Sequence, residues 1–195
     1  EYFSINFLSL FIFILFFFFI SNEFNKNLVD LFHEGQALSG GLNFKINEKL
    51  WSNSFIVTGL FVDSLIANIA WKLTDIQSVS SYRFFIEILN FITTCIFFIF
   101  FFILSNELSL KKNYKLFIFI LLCIFSYSLV KNFTLGYREI PIFLFFIFSF
   151  NLLVLNEKKF LDLTILGALP LLSLLWSLDR GIFLSAIYIP FFLIL

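Results

Sequence analysis

Between Phe84 and Leu104 the chain carries a single charge, Glu87, in a stretch otherwise built of Phe, Ile, Leu and a few small polar residues. A run of that length is what a helix needs to cross hydrocarbon, about 20 mainly apolar residues. In lipid every backbone N–H and C=O must find a partner inside its own segment, so such runs are helices. The rest of the chain repeats the pattern. We expect six spans, at roughly 3–20, 84–104, 116–131, 140–155, 163–178 and 182–195, several of them short. The short ones fit a packed bundle in locally thinned lipid, with Lys115 and Lys131 reaching for the interface. The expected fold class is all-α, a polytopic transmembrane helical bundle.

Composition enters as a check on that class. Hydrophobic residues make up 61% of the chain and charged residues 13%, whereas a soluble domain has about 25% charged residues. The formal net charge is zero, and no basic stripe exists to neutralise phosphates, so a nucleic-acid partner is excluded. The 34 Phe follow the AT-rich codon bias that also raises Ile, Asn and Lys, and carry no functional meaning of their own. Cys95 and Cys123 fall inside apolar runs without metal-type spacing and read as small buried hydrophobes. The first run lacks a basic flank and a small-residue cleavage site, which makes it an uncleaved span. With no Met and an ending inside an apolar run, the sequence is expected to be the N-terminal part of a longer protein.

Orientation follows from Lys and Arg. The connection 105–115 holds Lys111, Lys112 and Lys115 against Glu107, and 156–160 holds Lys158 and Lys159 against Glu157. Taking that side as cytoplasmic puts the N-terminus inside. Residues 21–82 and the turns at 132–139 and 179–181 then lie outside.

The outer segment, Ser21 to Tyr82, holds the densest group of reactive side chains. Phe24, Leu28, Leu31, Phe32 and Leu38 recur at helical spacing, which predicts an interfacial helix over 24–38 with Gly35, Gly40 and Gly41 as candidate ends. Asp30, His33 and Glu34 share its polar side. Carboxylate and imidazole at i, i+3 and i+4 can act as a general base, as metal ligands, or as both; they can equally form a plain solvated face. A second run, Phe55 to Leu73, is interrupted by Asp63 and Asn68 and predicts an interfacial or re-entrant helix, with Trp51 and Trp71 near its ends. The link Leu42 to Ser54 reads as an ordered loop.

Three arginines join this group. Arg83 and Glu87 are placed for an i, i+4 ion pair. Arg138 and Glu139 precede Pro141, which suits a first helical turn, and Asp179 and Arg180 precede Gly181 in the last turn. All lie on the expected outer side, where arginines beside acids can hold a lipid phosphate or serve as interfacial anchors.

The layout resembles the GT-C superfamily of membrane glycosyltransferases, nearest the bacterial branch similar to protein mannosyltransferases and aminoarabinose transferases. Three features carry the resemblance. A first span leads to a long outer loop with acids near its start, Asp30 to Glu34. The stretch SVSSYRFFIEILNFITTCIFFIFFFILSNEL opens with Ser80, Ser81 and Arg83 and ends in a short basic loop. The stretch YREIPIFLFFIFSFNLL opens with a charged pair before a Pro.

The resemblance implies an envelope enzyme of the inner membrane that moves a sugar from a polyprenyl-phosphate donor to an acceptor at the outer face. Asp30 or Glu34 would be the catalytic base or help bind a divalent metal, Mg or Mn, with His33 assisting. Arg138, Arg180 and Arg83 would bind the donor phosphate. The alternative is a transporter or lipid flippase, in which binding residues gather near the bilayer midplane on broken helices.

Overall fold

The computed structural model describes residues 32–49, 56–107, 111, 114–122, 136–153 and 160–194. The expected first span, Asp30, Trp51 and Cys123 lie outside these residues. Among the described residues every regular element is helical, so the all-α class holds. One helix, over Val79–Ser105, is long and apolar enough to cross a membrane.

Helix α1 (His33–Asn47) starts where the sequence places its reactive cluster and continues well past the expected end. Gly35, Gly40 and Gly41 are interior to it, and residues 42–47 are helix, not loop. The reason is packing. A Cβ on Gly40 would stand 1.9 Å from the Asp63 carbonyl oxygen, and one on Gly41 would stand 2.7 Å from the Ala67 Cβ. The glycines let two backbones touch, as small residues do between membrane helices.

Their partner is α2, which opens with a π-helical turn, Phe61–Leu65, and continues as α-helix through Ile66–Thr74. It does not lie flat on a surface. Val62, Asp63, Ser64, Ile66, Ala67, Asn68, Ala70 and Trp71 are all buried. Asp63 and Asn68, which look like interruptions in the sequence, are interior groups. Gly40 faces Asp63, Gly41 faces Ala67 and Lys45 bonds Gln77, so α1 and α2 run in the same general direction.

Helix α3 (Val79–Glu107) turns back along both. Its start is held by Ser81, whose hydroxyl donates to the Ile76 and Ser78 carbonyls, and by the Trp71 indole N–H on the Ser78 carbonyl. Ala37, Ile66, Ala67, Trp71, Tyr82 and Leu89 make the core between the three helices. Away from it, Phe84, Ile88, Phe91, Ile92 and Ile99 form one exposed apolar stripe on α3.

Helix α4 (114–122) packs Phe119 edge-on against Phe98 and Phe102, at the far end of α3. A 3₁₀ turn, Tyr137–Glu139, leads into α5 (Ile140–Leu153), with Pro141 in the first turn as its missing N–H favours. Helices α6 (Phe160–Trp176) and α7 (Leu178–Ile194) complete the bundle. They correspond to the expected spans at 163–178 and 182–195, but the break falls at Ser177, and Asp179 to Gly181 form the first turn of α7. Phe145 stands at the centre of this second core with Ile142, Leu152, Leu166, Leu169 and Leu184.

Candidate functional site

Arg83 on α3 and Arg138, Arg180 on the 3₁₀ turn and α7 lie at one end of the bundle, where α3, α5 and α7 all begin. Lys115, one turn before Phe119, belongs to the other end. The structure therefore brings the three arginines together and keeps Lys115 apart from them.

The junction that positions the site is a loop, 56–60. Asp63 is 2% exposed and collects the loop's donors: its Oδ2 accepts the N–H groups of Val57 and Thr58, both at 2.7 Å, and of Gly59 at 3.3 Å. The Thr58 hydroxyl donates to Oδ1. A buried carboxylate is tolerable only when satisfied in this way. The loop then reaches the α6–α7 break, where the Leu178 N–H, freed by the interruption at Ser177, donates to the Thr58 carbonyl at 2.7 Å. Gly59 has φ +146°, and a Cβ there would lie 2.6 Å from the Trp176 carbonyl oxygen. No side chain fits. Phe61 stacks on Trp176 with ring centroids 3.9 Å apart.

Trp176 carries the connection onward. Its indole N–H donates to the Tyr137 carbonyl at 2.9 Å, and the Tyr137 N–H donates to Asn90 Oδ1 on α3 at 3.1 Å. The 3₁₀ turn is thus pinned from both sides. Glu139, 3% exposed, accepts the Gly136 N–H on Oε2 at 2.8 Å and the Arg180 Nε on Oε1 at 2.8 Å. Arg180 also pairs with Asp179 at 2.7 Å. Arg180 therefore holds both acids, its neighbour Asp179 and Glu139 from the other pair. Arg138 has no described carboxylate within ion-pair distance. Its guanidinium instead hydrogen-bonds the Tyr137 side chain.

On the α1 side, Glu34 receives Arg83 as a two-pronged fork, Nε to Oε1 at 2.7 Å and Nη2 to Oε2 at 2.8 Å. Both side chains are mostly shielded, at 16% and 17% exposed. Such forks fix orientation as well as charge. Glu87 keeps its Oε1 buried. Tyr82, one residue before Arg83 and 3% exposed, shares a hydrogen bond with the Tyr137 side chain and feels the charges of both Glu34 and Arg138. It is the point where the two groups meet.

The local electrostatics follow from this arrangement. Burial pushes the Tyr137 phenol above its ordinary value, against the pull of Arg138 beside it. Burial alone would also raise the Asp179 carboxyl; the Ser177 hydroxyl, the Arg180 N–H and the charges of Arg180 and Arg138 hold it below the usual carboxylate value. Partial burial of Arg180 works against its charge, but Glu139 and Asp179 keep its affinity for the proton above that of a free guanidinium.

His33 is exposed, with its ring edge-on to Phe32 at 5.0 Å. Asp30 lies outside the described residues. Among the described residues no group of three or more His, Cys, Asp and Glu could hold a metal ion. Glu34 has both oxygens in the Arg83 fork.

Sequence reasoning misses Tyr82, Tyr137, Asp63, Asn90 and Trp176. The tyrosines had a signal: each directly precedes one of the singled-out arginines, Arg83 and Arg138. Asp63 had none, since an acid inside an apolar run looks the same whether it breaks a helix or caps a neighbouring loop. Comparison with known proteins adds no relative, as no protein-family model, curated protein or solved structure matches this chain.

Proposed function

We propose that the chain is part of a polytopic membrane glycosyltransferase that moves a sugar from a polyprenyl-phosphate donor to an acceptor at the outer face of the inner membrane. In this reading its N-terminus is cytoplasmic, and the arginine-bearing end is the outer one. The observation that carries the reading is the meeting of an oriented carboxylate and a guanidinium with no described carboxylate in ion-pair range at Tyr82: Glu34, held by Arg83, on one side and Arg138 on the other.

The roles divide by charge. Arg83 and Arg180 are occupied by Glu34, Glu139 and Asp179, so they orient acids. Arg138 takes the donor phosphate. Glu34, oriented by Arg83, or Asp30 accepts the proton of the acceptor hydroxyl. The acceptor oxygen then bonds to the anomeric carbon as the bond from that carbon to the phosphate oxygen breaks. The electron pair leaves with the phosphate, whose charge Arg138 stabilises. The site lies in the first turns of α3, α5 and α7 rather than half-way along them, which supports this reading over a transporter or flippase.

The test is sugar transfer from a polyprenyl-phosphate donor by the full-length protein in proteoliposomes, with Glu34→Gln, Asp30→Asn and Arg138→Ala alongside. Loss of one hydrogen-bonding stabiliser of developing charge costs about 10²–10³ in turnover. Arg138→Ala is expected to lose that much, and Glu34→Gln or Asp30→Asn at least as much. Full activity in all three rejects the mechanism.

A further inference from the structure

The three arginines at the outer end of the bundle are held in two different ways. Carboxylates hold two of them: Glu34 holds Arg83, and Glu139 with Asp179 holds Arg180. Such a pair balances charge as it fixes geometry. Arg138 is held by an oxygen of another kind, because its guanidinium donates to the Tyr137 phenol. Burial raises that phenol above its ordinary value, so it stays protonated and uncharged at neutral pH.

Tyr137 is itself fixed at both of its ends. Its N–H donates to Asn90 Oδ1 at 3.1 Å, and its carbonyl accepts the Trp176 indole at 2.9 Å. Its ring packs on the core between α1, α2 and α3, and the oxygen at its tip accepts the Tyr82 O–H. Tyr82 is a buried member of that core, and the next residue, Arg83, carries the Glu34 fork. A buried phenol needs some partner for its hydroxyl. Here the partner is the same oxygen that Arg138 uses, so two phenols join the start of α3, where Glu34 is held, to the Arg138 guanidinium.

We infer that Tyr82 and Tyr137 are positioning residues for Arg138: the two phenols hold its guanidinium at a fixed place relative to Glu34 and leave its charge for the donor phosphate. This rests on the reading of Arg138 given above. Tyr82 acts through Tyr137, and Tyr137 acts through Arg138. A carboxylate in the place of the Tyr137 oxygen would orient the guanidinium as well, but an arriving phosphate would then meet a charge already balanced. A neutral anchor gives orientation alone. A donor oriented beforehand stabilises the charge that develops on the leaving phosphate without first having to reorganise.

The test uses the full-length protein with Tyr82→Phe and Tyr137→Phe, each made alone and in an Arg138→Ala background. Both substitutions keep the ring and remove only the hydroxyl. Two quantities are measured: sugar transfer from a polyprenyl-phosphate donor in proteoliposomes, and binding of polyprenyl phosphate against uncharged polyprenol in detergent. A slightly misplaced group can cost up to about 10²-fold in rate, and each single variant is expected to lose about tenfold in kcat with a smaller change in KM. Each is also expected to weaken the preference for the phosphate lipid. In the Arg138→Ala background neither is expected to cost more, because a residue that acts through Arg138 has nothing left to position. A loss of equal size in both backgrounds marks a general weakening of the fold and overturns the inference. Unchanged turnover in either single variant of a protein that transfers sugar overturns the inference and leaves the proposed activity standing. A wild type that transfers no sugar, yet prefers polyprenyl phosphate through Arg138 and both phenols, overturns the activity and upholds the positioning. A wild type with no preference for the phosphate lipid overturns both.

Discussion

The two cores of this bundle are built on opposite principles. The one between α1, α2 and α3 depends on closeness and polar satisfaction: Gly40 and Gly41 against α2, Asp63 with its loop donors, and Glu34 in the Arg83 fork. The one between α5, α6 and α7 depends on bulk, with Phe145 edge-on to Tyr188 and Phe191 at 6.1 and 5.2 Å. The first tolerates no added atoms, and the second no removed ones. In a membrane, where lipid competes equally well for apolar surface, close backbones and internal polar bonds specify a partner and large rings fill space. The candidate site residues sit on the first kind of core and at its seam with the second.

This contrast can be broken by substitution. The largest effect is expected from Phe145→Ala, since Phe145 is 1% exposed and deleting a buried ring costs about 3–5 kcal/mol. Thermal unfolding in detergent should show it, and a loss below about 1 kcal/mol would mean that the α5–α7 core is not close-packed. Next comes Gly40→Val, whose Cβ would overlap the Asp63 carbonyl. Overpacking costs typically about 1–3 kcal/mol, and a backbone obstacle puts this case at the top of that range. Wild-type stability for Gly40→Val contradicts the close crossing of α1 and α2.

Asp63→Asn turns one acceptor of the loop nest into a donor among donors. We expect a loss of about 1–3 kcal/mol and faster proteolysis of the 56–60 loop, measured as protease half-life. An unchanged half-life removes Asp63 from its role as clasp.

The smallest effect is a pH dependence at Asp179. Its folded-state carboxyl titrates below the ordinary value, so its contribution is present above the unfolded carboxylate range, near pH 4, and fades as pH falls through the folded value. Comparing the acid limb of thermal stability between wild type and Asp179→Asn checks the sign. Equal limbs show that Asp179 adds nothing there.

Much of the bundle was legible because apolar run length is a strong signal. The runs read as spans at 84–104, 140–155 and 163–178 appear as α3, α5 and α6, and Pro141 falls in a first turn as placed. The outer segment was harder for a physical reason. Glycine marks a helix end when it supplies a left-handed residue, and marks a helix interior when a neighbour leaves no room for a Cβ. Sequence alone does not separate the two, so α1 was read as ending near Gly40. Its actual end uses Glu48 in a conformation that usually belongs to glycine or asparagine. The ion pairs between helices were hidden for a similar reason, because i, i+4 and adjacent spacing describe only one helix: Arg83 meets Glu34, 49 residues away, and Arg180 meets Glu139, 41 residues away, as well as its neighbour Asp179.

The Thr58 carbonyl on the Leu178 N–H ties an early loop to a late elbow. An elbow buried with an unmatched amide is unfavourable, so the α6–α7 hairpin is incomplete until the 56–60 loop meets it. Assembly of the two halves is thereby made mutual: the hairpin's last hydrogen bond is supplied by the same loop that Asp63 gathers, and the order in which the pieces emerge need not be the order in which they become stable.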